Sequence, residues 1–209
     1  LSWRTVFMSL GIIGFALSAF VLAMVRNNPE YTGGFRILQP QHDFYKKGFW
    51  AFIRGKQVWF IIFYSASLYF ALEYLSENSG KLFMQAKGFS NSTASYMITL
   101  SWVGYAVGCP FWGFISDQSA KRKPVMIAGA LCAFLAFILM TYCPVSAGSF
   151  AFLIFFLGFG CGCSIISFAV IGEYCYSPYL SIGAGVTNSI IMLLASVNAP
   201  FIGWLIVFF

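Results

Sequence analysis

The sequence predicts an all-α, polytopic transmembrane helical bundle with six spanning helices. Three observations carry that prediction. First, 60% of the 209 residues are hydrophobic and only 9% are charged, with a mean hydropathy of +0.81. Soluble domains carry roughly 25% charged residues. Charges this sparse do not cover a water-facing surface, so the solvent is lipid. Second, six apolar runs each reach the length of about 20 residues needed to cross a bilayer. Third, the basic residues gather in loops on one side of those runs, as membrane orientation requires.

The runs span residues 5–25, 58–77, 93–115, 125–142, 149–171 and 182–209. Lipid offers no water to backbone N–H and C=O groups, so the runs form helices or a closed barrel. They lack period-two alternation and are too long for barrel strands, so they are helices. The first is closed by Arg26-Asn27-Asn28-Pro29, a strong stop signal. The long stretch after it, to residue 57, mixes basic and aromatic residues from Asp43 to Trp50. Two readings fit: an amphipathic segment lying on the membrane, or a tether between two halves.

Asn91-Ser92-Thr93 precedes the third run and reads either as a glycosylation sequon or as a helix start capped by Asn91 or Ser92. The cap is the simpler reading. The third run holds the pair Gly104 and Gly108 and an internal Pro110; the fifth holds Gly158 and Gly162; the last holds Pro200. Small residues spaced by four let helices approach closely, and internal prolines bend them. These six are therefore the candidate packing and hinge residues.

Nine basic residues (Arg26, Arg36, Lys46, Lys47, Arg54, Lys56, Lys121, Arg122, Lys123) lie on one side of the runs, and three (Arg4, Lys81, Lys87) on the other. The richer side is inside. The chain then starts outside without a signal-peptide pattern. It is therefore expected to be part of a longer protein, preceded by further helices.

The net charge of +6 is confined to loops and forms no nucleic-acid-binding face. The six cysteines form no CxxC pair, and the single histidine, His42, lies apart from them. Small packing residues are the expectation. No nucleophile–base pair or metal cluster is visible. Gly158-Phe159-Gly160-Cys161-Gly162 follows no strand, so it is not a nucleotide fingerprint. The expectation is no enzyme, no cofactor, no metal and no nucleic-acid partner.

The most informative stretch is Gly113-Phe114-Ile115-Ser116-Asp117-Gln118-Ser119-Ala120-Lys121-Arg122-Lys123, between the third and fourth runs. An inside loop collects Lys and Arg by itself, but that does not explain Gly113 and Asp117. A carboxylate at a helix C-terminus is disfavoured by the macrodipole unless basic groups face it. The spacing of Gly113, Asp117, Lys121 and Arg122 resembles the loop motif of the major facilitator superfamily. Gln118 and Ala120 depart from that motif's usual basic residue and glycine. Trp3-Arg4 before the first run resembles the entry to the sixth helix of that superfamily. Gly172-Glu173, Gly183-Ala184-Gly185-Val186-Thr187-Asn188, Pro200 and Gly203 resemble its tenth-to-eleventh helix region.

The resemblance covers essentially the whole chain and implies a C-terminal portion, from about the sixth to the eleventh helix. Residues 1–27 would then be the last helix of an N-terminal bundle, 28–57 the cytoplasmic crossover, and 58–209 an incomplete C-terminal bundle. It also implies an inner-gate charge network of Gly113, Asp117, Lys121, Arg122 and Glu173. Asp117 would face a helix end of the missing half, and Arg122 would pair with Glu173.

Glu73 and Glu77 are the ionisable residues that compete for a transport role, since charges within spanning helices are costly. On a regular helix they are one turn apart, with Tyr69 and Lys81 extending the stripe. Glu73 lies about 22 Å from Val58 at 1.5 Å per residue, in the outer third of a core roughly 30 Å thick. It either binds a proton or a substrate ammonium, or is simply wet. Asn188 and Asn198 either contact solute or join helices, and Thr187 and Ser189 can bond their own backbone.

The functional expectation is a secondary transporter or facilitator. It would move a small organic solute by alternating access, with protons as a candidate couple. The rival is a non-transporting membrane sensor or interaction protein on the same bundle. The expected partners are the solute, the lipid bilayer, protons and the missing N-terminal half. The expected site is a plasma or inner membrane, with an organelle membrane as the alternative.

Overall fold

The computed structural model describes residues 2–24, 50, 52–144, 146–175 and 180–208; the side chains of Glu77, Asn78, Asn198, Ala199, Ile206 and Val207 are not included. The stretch 43–50, read above as amphipathic or as a tether, lies almost wholly outside the described residues, as does most of the proposed crossover. The chain divides into two units, Leu1–Gln39 and Pro40–Phe209. Among its described residues the first unit contains one helix, α1 (Trp3–Met24), with no charged residue after Arg4 and no buried side chain. A helix apolar all round is suited to lipid.

The second unit is built from α2 (Lys56–Glu73), α3 (Gly80–Ala86), α4 (Asn91–Ser119), α5 (Arg122–Tyr142), α6 (Ala147–Cys161), α7 (Ile166–Tyr174) and α8 (Leu180–Phe208). A π-helical turn, Tyr74–Asn78, separates α2 from α3, and a 3₁₀ segment, Gly162–Ile165, joins α6 to α7. No strand occurs among the described residues. Six stretches are long and apolar enough to span a membrane: Trp3–Met24, Lys56–Ser76, Asn91–Ser119, Arg122–Tyr142, Ala147–Tyr174 and Leu180–Leu205.

Four local differences from the sequence reading have physical causes. The second span begins at Lys56, after a helical turn at 52–54 that is tied down by Trp59 Nε1 donating to Ile53 O at 2.7 Å. The cap of α4 is Ser90, one residue before the expected pair. Its Oγ accepts from Thr93 N at 3.2 Å and satisfies one of the helix's orphan donors. Asn91 becomes the first helical residue instead.

The third difference is that α4 runs on to Ser119, so Asp117 sits in the last helical turn and not in a loop. The connection shrinks to Ala120 and Lys121. Ala120 ends the helix in the left-handed conformation, φ 50° and ψ 19°. That is where glycine is favoured, which explains the motif's usual glycine at this point; Ala120 takes the same conformation at a cost.

The fourth concerns the polar stripe. Just after Glu73 the backbone widens, and Ser79 N donates to Tyr74 O at 3.0 Å, across five residues. The chain then bends sharply. A Cβ on Gly80 would lie 1.5 Å from Leu75 O, so only glycine allows the turn. Residues five apart, not four, now follow one another. The regular register assumed for Glu73, Glu77 and Lys81 is therefore broken.

The core has two apolar clusters, one toward each end of the bundle. Leu72, Met84, Met140, Phe150 and Ile154 anchor one, at the end where α5 finishes and α6 begins. Ile62, Trp112, Cys163, Ile166 and Ile171 anchor the other, at the end where α4 finishes and α5 begins. Between them α6 is pressed against α4 on one face and α5 on the other. A Cβ on Gly158 would lie 1.9 Å from Ser101 O, and one on Gly104 would lie 2.1 Å from Phe155 O. On the opposite face, one on Gly160 would lie 2.5 Å from Ala133 N. Without a hydrophobic drive between helices in lipid, such close backbone approach is what packs them.

Candidate functional site

Three helix ends meet at one end of the bundle: the C-terminus of α4, the N-terminus of α5 and the C-terminus of α7. Arg122 joins them. Its Nη1 donates to Asp117 Oδ1 at 2.5 Å and to Ser116 Oγ at 2.9 Å. Its Nε donates to Glu173 Oε1 at 2.9 Å. The Arg122 side chain is 26% exposed, against 71% for Asp117 and 53% for Glu173. Asp117 thus faces Arg122 within its own chain, where the resemblance implied a helix end of another half.

Each of these charges stands at the wrong end of its helix dipole. Asp117 and Glu173 close α4 and α7, and Arg122 opens α5. A misplaced charge costs about 0.3–1 kcal/mol. Mutual pairing offsets that penalty, but pairs this exposed contribute only about 0.2–1 kcal/mol each. The cluster is therefore a poor stabiliser of helices. Its chemistry is that of a polar clasp between helix ends, able to open into water.

The remaining motif residues are less engaged. Lys121 is exposed, its backbone N donating to Ser119 Oγ at 3.4 Å. A Cβ on Gly113 would meet nothing within 4 Å. Ser116 lies inside the motif stretch but carried no assigned role. Its place beside Asp117 was the available signal, and its full burial under Arg122 appears only in three dimensions.

Of the expected transport residues, Tyr69 and Glu73 are both half-buried on the last turns of α2. Glu73 stands where the backbone turns π-helical, and among the described residues its carboxylate has no hydrogen bond or ion pair; Ser76 Oγ donates only to its backbone carbonyl, at 3.2 Å. The Glu77 and Asn198 side chains lie outside the description. Asn188 is exposed on α8. Its neighbours differ: Ser189 Oγ donates to its own helix at Gly185 O, 2.9 Å away, whereas Thr187 Oγ1 is buried without a partner among the described residues.

The interior polar contacts were not anticipated. Tyr64 Oη donates to Met126 O at 2.8 Å, Trp112 Nε1 to Phe159 O at 2.8 Å, and Ser65 Oγ to Ser164 O at 3.3 Å. All three reach carbonyls on a facing helix or on the 3₁₀ segment. No sequence signal marks a carbonyl as an acceptor for a distant side chain. Pro110 and Pro200 lie inside α4 and α8, both exposed. All six cysteines are free, and no group that could hold a metal ion occurs among the described residues.

A family model described as Major Facilitator Superfamily matches residues 1–171 and, in a second overlapping alignment, 78–209. Comparison with curated proteins and with solved structures finds no match. Six spanning helices, the charged clasp and a family match over the full length agree. The chain belongs to the Major Facilitator Superfamily, a family of transporters rather than enzymes, and is an integral, multi-pass membrane protein.

Proposed function

We propose that this chain is the C-terminal portion of a secondary transporter or facilitator that moves a small organic solute by alternating access. The observation that carries the reading is Arg122 bridging Asp117 and Glu173 at helix ends where none of the three suits the helix dipole. An arrangement weak in stability and able to open is the two-state element that a gate needs. Charge distribution places this end inside.

In this reading Tyr69 and Glu73 belong to the transport path. A half-buried carboxylate without a partner among the described residues, next to a π-helical turn, suits a proton or a substrate ammonium. Asn188 and Asn198, polar residues within a span, and Glu77, just past the end of another, are secondary candidates. The glycine contacts of α4 with α6 give the bundle a stiff unit that rocks as one body.

The test is counterflow of a panel of small organic solutes into vesicles holding the full-length protein, wild type against Arg122→Ala. A solute that exchanges in the wild type and at least tenfold more slowly in the folded variant supports the gate. Equal rates would remove Arg122 from gating. Absence of exchange for any solute in the wild type would count against transport.

A further inference from the structure

Beside the clasp, α2, α5 and α7 enclose an open cleft of about 450 Å³. Its mouth is polar, formed by Gln57, Arg122, Lys123 and Glu173. Its walls are apolar, formed by Phe60, Met126, Ile127 and Val170. Gln57 is the second residue of α2, Arg122 and Lys123 open α5, and Glu173 is next to last in α7. The mouth therefore sits where the three helices reach the membrane surface. The walls lie three to five residues further along each helix, one turn or roughly 5–7 Å deeper, where acyl chains begin. Phe60 is 70% and Ile127 49% exposed, so the apolar wall of the cleft is uncovered by the described residues.

The charge at the mouth is unbalanced. Arg122 is shared between two carboxylates. Lys123 is exposed and has neither ion pair nor hydrogen bond among the described residues. Lys56 adjoins Gln57 and Lys121 adjoins Arg122 in sequence, so four basic residues stand at or next to the mouth against the two acidic residues Asp117 and Glu173. The first N–H groups of α5 add partial positive charge at the same place.

We infer that this cleft binds the headgroup of an anionic phospholipid of the inner leaflet. The phosphate rests on Lys123 at the mouth, and one acyl chain lies along Phe60, Met126 and Ile127. A free phosphate would gain the lysine but would leave the apolar walls uncovered and would still face Glu173. A lipid satisfies mouth and walls together. Its phosphate also competes with Asp117 and Glu173 for Arg122, which ties lipid composition to the clasp. Binding itself rests on the inside orientation of these loops and not on transport.

The experiment is native mass spectrometry of the full-length protein in detergent, titrated with phosphatidylglycerol or phosphatidylcholine. Wild type, Lys123→Gln and Lys81→Gln are compared, Lys81 being a basic residue at the opposite end. Expected is a several-fold preference for phosphatidylglycerol in the wild type. Lys123→Gln should lower it about fivefold, the contribution of one lysine near an anionic surface, and Lys81→Gln should leave it in place. Equal retention of both lipids, or equal losses in the two variants, overturns the site. Displacement of phosphatidylglycerol by inorganic phosphate would overturn the assignment to lipid. Because no uptake is measured, failure here is distinct from failure of the transport reading.

Discussion

Arg122 Nε lies 2.9 Å from Glu173 Oε1, which joins the first turn of α5 to the last turn of α7 across 51 residues of sequence. The same guanidinium holds Asp117 through Nη1. Because both carboxylates share one cation, breaking either pair changes the other. Alanine at Arg122 and alanine at Glu173 should therefore combine non-additively, with a coupling of about 0.5 kcal/mol or more in the uptake rate. Each alone should shift unfolding by less than about 1 kcal/mol. Strictly additive effects on uptake would break the link between the pair and gating.

Ala120 holds a left-handed backbone, φ 50°. An L-residue with a Cβ is penalised there by about 1–2 kcal/mol, and glycine is not. Glycine loses more chain entropy on folding, which offsets part of the gain. Ala120→Gly should raise stability by about 0.5–1 kcal/mol, and Ala120→Val should lower it. Thermal unfolding in detergent reads both, and a destabilised glycine variant would contradict the conformation.

Gly158 and Gly113 offer a paired comparison. A Cβ at Gly158 would stand 1.9 Å from the Ser101 carbonyl, a backbone atom, so α4 and α6 must separate. Gly158→Ala should cost about 1–3 kcal/mol, as overpacking does. A Cβ at Gly113 would meet nothing within 4 Å, so Gly113→Ala should not destabilise the fold. If Gly113→Ala nonetheless slows uptake, the glycine acts on groups outside the described residues. Equal stability losses for the two variants would contradict the packing.

Glu73 tests coupling. In vesicles of the full-length protein, the wild type should take up solute faster with an inward proton gradient. Glu73→Gln removes the carboxylate but keeps the shape, so its uptake should lose most of that acceleration. A gradient response preserved in the variant would take Glu73 out of the coupling role.

The six spans were legible from composition and length because lipid allows the backbone few alternatives. Local punctuation was less legible. Ser90, Asn91 and Ser92 all have side chains that can cap a helix, and the sequence does not rank them. The structure does: Ser90 keeps an extended backbone, φ −66° and ψ 159°, while Asn91 and Ser92 are already helical. The break after Glu73 was invisible for a similar reason. Its cause is Gly80 folding onto the Leu75 carbonyl, a contact that periodicity does not report.

The sequence by itself determined that this protein lives in lipid, crosses it six times, and carries a Gly113–Asp117–Arg122 spacing resembling the superfamily motif. Those properties follow from residue type and distance along the chain. The tertiary structure decided which partner each charge has. It brought Glu173 to Arg122, drew Asp117 inward to the same guanidinium, and buried Ser116 beneath both. It also set Lys123 at the mouth of an apolar cleft. The physical reason is that a pairing depends on how helices cross, and here the crossing is set by glycine contacts between backbones that have no side chain to announce them.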